Sequence, residues 1–195
     1  MKRSEDTRDS IIRAAERCLS SNGVGALTIG AVARRAGVSS ALVHYHFATK
    51  QRLLTAAAER LIERRAAGRL EALAGGTALA ALDRLWQAAE RFADDGSERA
   101  MLELVALARE NADVGRLVAR CRDRVRAALR ARLPSLMAGL GAMPIAADEA
   151  AEVVATFLDG IGLALAAGND AAVVRSAFEA FWLALIAAGQ SERRP

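Results

Sequence analysis

An all-α fold is predicted by three features of the sequence. Alanine, leucine and arginine, all strong helix formers, dominate the 195 residues, while aromatics make up only 4% and residues that favour a pleated sheet are scarce. Apolar residues recur at helical rather than alternating spacing almost from end to end. Glycine, asparagine and aspartate punctuate these runs at a few isolated positions. With 53% of residues hydrophobic, the chain can bury a sizeable core.

The elements follow in order. Ile11, Ile12, Ala15, Cys18 and Leu19 give a first helix over residues 6–22, stopped at Asn22-Gly23. Thr28 caps a short second helix carrying Ile29, Val32 and Ala33 on one face, and Gly37 ends it. Ser39 caps a third helix through about His46, with Val43 and Phe47 facing inward. Thr49 caps a longer fourth, whose stripe is Leu53, Leu54, Ala57, Leu61 and Ile62. After Gly75-Gly76, helices are expected at 77–93, 97–109, 112–139, 147–167 and 171–189. Their breaks are Asp94-Asp95-Gly96, Asn111, Gly141–Pro144 and Gly168-Asn169-Asp170. Pro134 is expected to kink or break its helix, and the tail from Gln190 to Pro195 to fray.

Charge is unevenly distributed. Residues 1–70 carry 13 Lys/Arg against 6 Asp/Glu, and residues 71–195 carry 14 against 17. A basic first segment beside a mildly acidic remainder fits a polyanionic partner for the first part. Cys18 and Cys121 stand apart in helical patterns, without the spacing of a disulfide framework, which fits a reducing cytoplasm. The N-terminal MKRSEDTRDS lacks the apolar core of a signal peptide. No window reaches the ~18 uncharged apolar residues of a membrane span; the best candidate, Val153–Gly168, is short and contains Asp159. A soluble, cytoplasmic protein is expected.

No pattern asks for catalysis or a cofactor. Gly23-x-Gly25 and Gly160-x-Gly162 lack the third glycine of a dinucleotide fingerprint, and no phosphate-binding loop occurs. Glu103, Glu110 and Asp113 read as ordinary surface charges, and the arginines from Arg116 to Arg132 as a solvated helix face. His44 and His46, two apart, point to different faces of a helix and do not make a metal pair.

Two short helices joined by a tight glycine turn have the layout of a DNA-reading helix-turn-helix. The only two histidines and the only tyrosine stand together in the second of them, as His44-Tyr45-His46. Polar, planar side chains on a presented helix suit phosphates and base edges. The stretch Thr28-Ile29, Ala33, Ala36-Gly37-Val38-Ser39, Val43, His46-Phe47, Lys50 and Leu53-Leu54 resembles the tetracycline-repressor (TetR) family of bacterial transcriptional regulators, over about residues 8–54. Leu158-Asp159-Gly160 is a weaker trait shared with some members. The family more often has tyrosine where His44 stands and glycine where Ala41 stands. By this resemblance, Ser39, Ser40, Ala41, Leu42, His44, Tyr45 and His46 occupy DNA-contact positions, with Thr28 and Lys50 at phosphates.

The resemblance implies a ligand-responsive repressor without enzymatic activity, reading a double-stranded operator as a homodimer. Residues 1–47 are expected to form the DNA-binding domain and 48–195 the regulatory and dimerisation domain. The last two helices are expected to pair across a two-fold axis through Val154, Leu158, Ile161, Leu165, Val174, Phe178, Phe181 and Leu185. An apolar pocket for a small organic effector is expected within 77–182, lined by Trp86, Phe92, Met101, Leu104, Val105, Phe157 and Trp182, with Arg109 or Glu103 orienting a polar group. The alternative is a helical small-molecule-binding protein or enzyme with a decayed helix-turn-helix; the intact run around Gly37 and the retained Lys50 argue against it.

Overall fold

The computed structural model describes residues 2–138 and 145–191, with side chains from 5 to 138 and from 145 to 190. The expected break at Gly141–Pro144 and the tail beyond Ser191 lie outside the described residues. Those residues form nine α-helices and no strand. The first four are α1 (Lys2–Asn22), α2 (Ile29–Ala36), α3 (Ser40–Phe47) and α4 (Lys50–Leu73). They are followed by α5 (Ala78–Asp94), α6 (Ser97–Leu107), α7 (Ala112–Met137), α8 (Ala147–Ala166) and α9 (Ala171–Ser191).

One expected break is absent. Helix α7 continues through Pro134 to Met137. Proline removes one intrahelical donor, but only a single turn follows it. Leu133, Leu136 and Met137 hold that turn by burial while Pro134 faces outward.

The chain divides into two compact units: Met1–Arg65 with Asp95–Arg120, and Ala66–Asp94 with Cys121–Pro195. In the first, α1 packs on α2 and α6, and α2 on α3. Ile11, Ala14, Ala15, Leu19, Leu27, Val32, Val43, Phe47, Leu53 and Leu61 are buried there. This core is what fixes α3, since an isolated eight-residue helix is unstable in water. Arginines of α4 bind the same unit electrostatically. Arg60 reaches Asp9 and Glu16 at 3.0 Å each, and Arg64 reaches Glu16 at 2.6 Å and Asp95 at 2.8 Å.

Helix α6 joins this unit at both ends. Gly96, with φ 78°, lets its start lie directly on the Ser20 carbonyl. Further along, the Glu103 carboxylate accepts the Val24 N–H at 2.6 Å and so ties down the α1–α2 turn. Glu103 is therefore a structural acceptor and not the ordinary surface charge expected from its spacing.

In the second unit α5 packs on α8 and α9, and α8 on α9. Arg84 donates to the carbonyls of Ala72, Ala74 and Gly75, and Arg132 to that of Leu73. The bonds to Ala72 and Leu73 serve carbonyls in the last turn of α4, and those to Ala74 and Gly75 hold the turn that follows it. The α7 arginines are mostly exposed, yet Arg122 and Arg126 pair with Glu152, and Arg130 with Asp148.

One described helix, Ala171–Gln190, is long and apolar enough by length and composition to cross a membrane, although it carries Arg175 and Glu179. The described helix that meets this criterion is thus α9 and not the Val153–Gly168 stretch. Little of α9 is buried within the chain.

Candidate functional site

Three side-chain caps in succession build the presented helix. Thr28 Oγ1 accepts the Ala31 N–H at 3.2 Å, Ser39 Oγ accepts the Leu42 N–H at 3.2 Å, and Thr49 Oγ1 accepts the Arg52 N–H at 3.1 Å. Each hydroxyl satisfies one of the N–H groups that a helix start leaves open. Between α2 and α3 the turn is closed by Gly37 at φ 69°, a left-handed conformation that costs a side chain about 1–2 kcal/mol. Gly37 donates to Arg34 O at 3.3 Å and Val38 to Ala33 O at 3.0 Å, the paired bonds of a Schellman ending.

Helix α3 then has two distinct sides. Val43 and Phe47 are buried, and the Arg8 guanidinium lies over the Phe47 ring at 5.2 Å. Ser39, Ser40, Ala41, His44 and Tyr45 are exposed, Tyr45 to 80%, while Leu42 and His46 are half-buried. The Tyr45 and His46 rings meet edge to face at 5.3 Å, so Tyr45 is the outermost ring of the group. Thr28 and Lys50 are exposed at the starts of α2 and α4. The residues proposed from sequence to contact DNA thus fall on a shared exposed region around α3, with Leu42 and His46 at its margin.

Cations around α3 differ from those further along α4. Arg34, Arg35, Lys50 and Arg52 are exposed, and none is paired with a carboxylate among the described residues. Arg35 donates only to the Ser21 hydroxyl, at 3.3 Å. By contrast Arg60, Arg64 and Arg65 are all held by carboxylates. Unneutralised positive charge therefore stands beside the presented helix, together with open N–H groups at helix starts. Both features favour anionic oxygen.

The second unit contains a cavity of about 350 Å³ between α5 and α9. Leu79, Leu82, Trp86, Phe178, Trp182 and Ile186 supply most of its wall, with Asp83, Arg175 and Glu179 as its charged side chains. Of the seven lining residues expected from sequence, Trp86 and Trp182 are on this wall. Phe92 instead lies against Gly68, and Phe157 stacks on Phe181 with ring centres 3.8 Å apart. Met101, Leu104 and Val105 belong to the first unit, where Leu104 is fully buried. Arg109 is exposed there as well. Sequence reasoning missed Asp83, Arg175 and Glu179; the only signal was the i,i+4 spacing of Arg175 and Glu179, which is common on any helix surface.

The residues expected at a dimer interface separate by burial. Val154, Leu158, Ile161, Val174 and Phe178 are buried within the chain's own second unit and have no surface to offer a partner. Leu165, Phe181 and Leu185 are half-buried. The large apolar side chains of α8 and α9 that do reach solvent are Val153, Leu163, Val173 and Leu183.

Comparisons with known proteins bear on what this arrangement is. The family model described as bacterial regulatory proteins, tetR family, matches residues 11–57, which run from α1 into α4 and include the whole presented helix. The HTH-type transcriptional regulator BetI of Rhizobium meliloti (strain 1021) is 30% identical over 160 residues, 79% of this chain and 75% of that protein. The chain belongs to the TetR family.

TetR-family proteins are transcriptional regulators and not enzymes, so this chain is a regulator, and membership supports DNA binding. Solved structures agree on the fold. A TetR transcription regulator from Haloarcula marismortui superposes with a TM-score of 0.77 at 23% identity, covering 94% of this chain and 98% of that one. A structure from Saccharomonospora viridis, described as a transcriptional regulator in complex with choline, gives 0.75 at 21% identity, covering 91% and 95%. The TetR motif as it stands here carries His44, and that residue is exposed beside Tyr45.

Proposed function

We propose that this TetR-family chain is a ligand-responsive repressor that reads a pseudo-palindromic operator as a homodimer. The observation that carries this reading is α3 itself: a capped, core-anchored helix with an exposed polar edge, flanked by cations that no carboxylate among the described residues neutralises. In this reading residues 1–47 form the DNA-binding part and residues 48–195 the regulatory and dimerisation part. Tyr45, Thr28 and Lys50 take phosphates, which position the protein, and Ser39, Ser40, Ala41, Leu42, His44 and His46 meet bases or the adjoining backbone.

Two further features support it. One eight-residue helix spans only a few base pairs, so a two-fold pair with half-sites about 34–36 Å or more apart supplies the necessary length of operator. Helices α8 and α9 carry exposed apolar side chains, and α9 is apolar with little of it buried. Pairing through Val153, Leu163, Val173 and Leu183, with Leu165, Phe181 and Leu185 beside them, removes that surface from water. The repressor works in the cytoplasm, where its operator is, and blocks polymerase there.

A small organic effector shifts the dimer between states of different operator affinity, so effector and operator oppose each other reciprocally. The choline bound to the Saccharomonospora viridis structure supports a small organic effector for this fold. DNase footprinting on the DNA flanking the protein's own gene tests the reading. Two protected half-sites related by a pseudo-palindrome are expected; protection no stronger than on shuffled DNA overturns it.

A further inference from the structure

Helices α1 and α2 both end on a left-handed glycine, but they close differently. After α2, Gly37 and Val38 both donate back into their own helix, to Arg34 O and Ala33 O. After α1, Gly23, with φ 79°, donates to Leu19 O at 2.8 Å. A single bond of this kind leaves the following N–H without an acceptor in its own helix. That N–H belongs to Val24, and it donates to Oε2 of Glu103 on α6 at 2.6 Å. An ionised acceptor makes a shorter and stronger hydrogen bond than a neutral one.

The surroundings are shaped for this carboxylate. A Cβ at Gly23 would overlap both Glu103 oxygens, so glycine is needed there for space as well as for its φ. Gly96 places the start of α6 directly on the Ser20 carbonyl, close to the end of α1. The turn leads straight to the DNA-contact region. Val24 O accepts the Leu27 N–H at 3.2 Å, Leu27 is fully buried, and Thr28 follows it as the cap of α2. Open space surrounds Gly25, and two glycines in so short a turn impose few conformational limits of their own.

We propose that Glu103 is a positioning residue for operator binding. By holding the Val24 N–H it fixes the entry into α2, and so the place where Thr28 and the open N–H groups of α2 meet a phosphate. Glu103 belongs to the stretch 48–195 assigned to regulation, so residues 1–47 do not set the start of α2 by themselves. The proposal rests on the reading of α3 and its flanks as the surface that contacts the operator.

The test measures the affinity of the full chain for a duplex of the DNA flanking the protein's own gene, by fluorescence anisotropy well below the melting temperature. Glu103→Gln keeps an acceptor oxygen at the same reach. Glu103→Met keeps the length and removes the acceptor, while Glu103→Asp keeps the charge and falls a methylene short. The Met and Asp variants are expected to bind about two- to thirtyfold more weakly than the parent, and the Gln variant to recover most of that loss. The Val24 amide is expected to exchange with solvent faster in the Met and Asp variants, but not in the Gln variant. In a Thr28→Ala background Glu103→Met is expected to cost less affinity than in the parent, because both residues act at the start of α2. If Glu103→Met lowers the helix content, the Asp variant carries each comparison.

Parent-like affinity in the Met and Asp variants overturns the proposal. So does a Gln variant as weak as the Met variant, or a cost of Glu103→Met that is the same with and without the Thr28 hydroxyl. A parent that does not bind the duplex removes the DNA-contact reading, and this proposal with it. A parent that binds beside unaffected Met and Asp variants removes this proposal alone.

Discussion

Arg65 on α4 and Glu98 on α6 form a buried two-point ion pair, with Nε–Oε1 at 2.9 Å and Nη2–Oε2 at 2.6 Å. Their side chains are 6% and 3% exposed. Parallel donors from one guanidinium to both carboxylate oxygens set orientation as well as energy. Removing one partner leaves the other charge buried and unpaired. Glu98→Ala is expected to destabilise the protein by about 3–5 kcal/mol. Glu98→Leu combined with Arg65→Met is expected to recover much of that loss. Urea unfolding of the three proteins checks both.

Two glycines separate backbone strain from space. Gly37 and Gly96 both have positive φ, 69° and 78°. A Cβ at Gly37 meets nothing within 4 Å, whereas one at Gly96 overlaps the Ser20 carbonyl oxygen. Gly37→Ala is expected to cost about 1–2 kcal/mol, the conformational penalty alone. Gly96→Ala is expected to cost more than that, since α6 must also move off α1. Thermal unfolding that ranks the two the other way contradicts this packing.

Much of the first unit is legible in the sequence because its signals are local. Thr28, Ser39 and Thr49 announce helix starts, Gly37 announces the turn, and all four act within a few residues. What is not legible depends on residues distant in the chain. The i,i+4 spacing of Arg60 and Arg64 gives no hint that both meet Glu16. Nor does Glu103 reveal from its surroundings that it holds Val24. The inward faces of α8 and α9 are not legible in the sequence for another reason. Apolar residues occur all round these helices, so periodicity cannot say which stripe is core, and Val154 and Val174 turned inward while Val153 and Val173 faced out.

That division of faces yields a prediction about assembly. Leu183→Glu together with Val173→Glu is expected to convert a dimer to a monomer while helicity is retained, because both side chains are 66% exposed in the single chain. Val154→Glu, at a fully buried position, is expected to unfold the second unit instead. Analytical ultracentrifugation and circular dichroism distinguish the two outcomes. A parent protein that sediments as a 20.6 kDa monomer at micromolar concentration contradicts the dimer.

Hydrogen bonds from Arg126 and then Arg122 hold the Glu152 carboxyl below the usual glutamate range. A carboxylate depressed in the folded state adds stability that is fully present above its unfolded pKa and is lost as pH falls through the folded one. The titration of Glu152, followed by carbon NMR, is therefore expected to have its midpoint below that of an ordinary glutamate. Arg126→Gln is expected to bring it back up, and a midpoint insensitive to that change contradicts the pairing.

The claim on which the regulatory reading depends is that α3 and its flanks carry the operator. The most direct measurement is the salt dependence of operator affinity, by fluorescence anisotropy, for the parent, Tyr45→Ala, Lys50→Ala and His44→Ala. Loss of a phosphate contact at Tyr45 or Lys50 is expected to weaken operator and shuffled duplex alike, and Lys50→Ala to lower the slope of log affinity against log salt by about 1. His44→Ala is expected to change preference among operator base pairs by about 1–3 kcal/mol at the affected pair. If all three variants bind the operator as the parent does, with the same slope and the same preferences, α3 is not the surface that reads DNA.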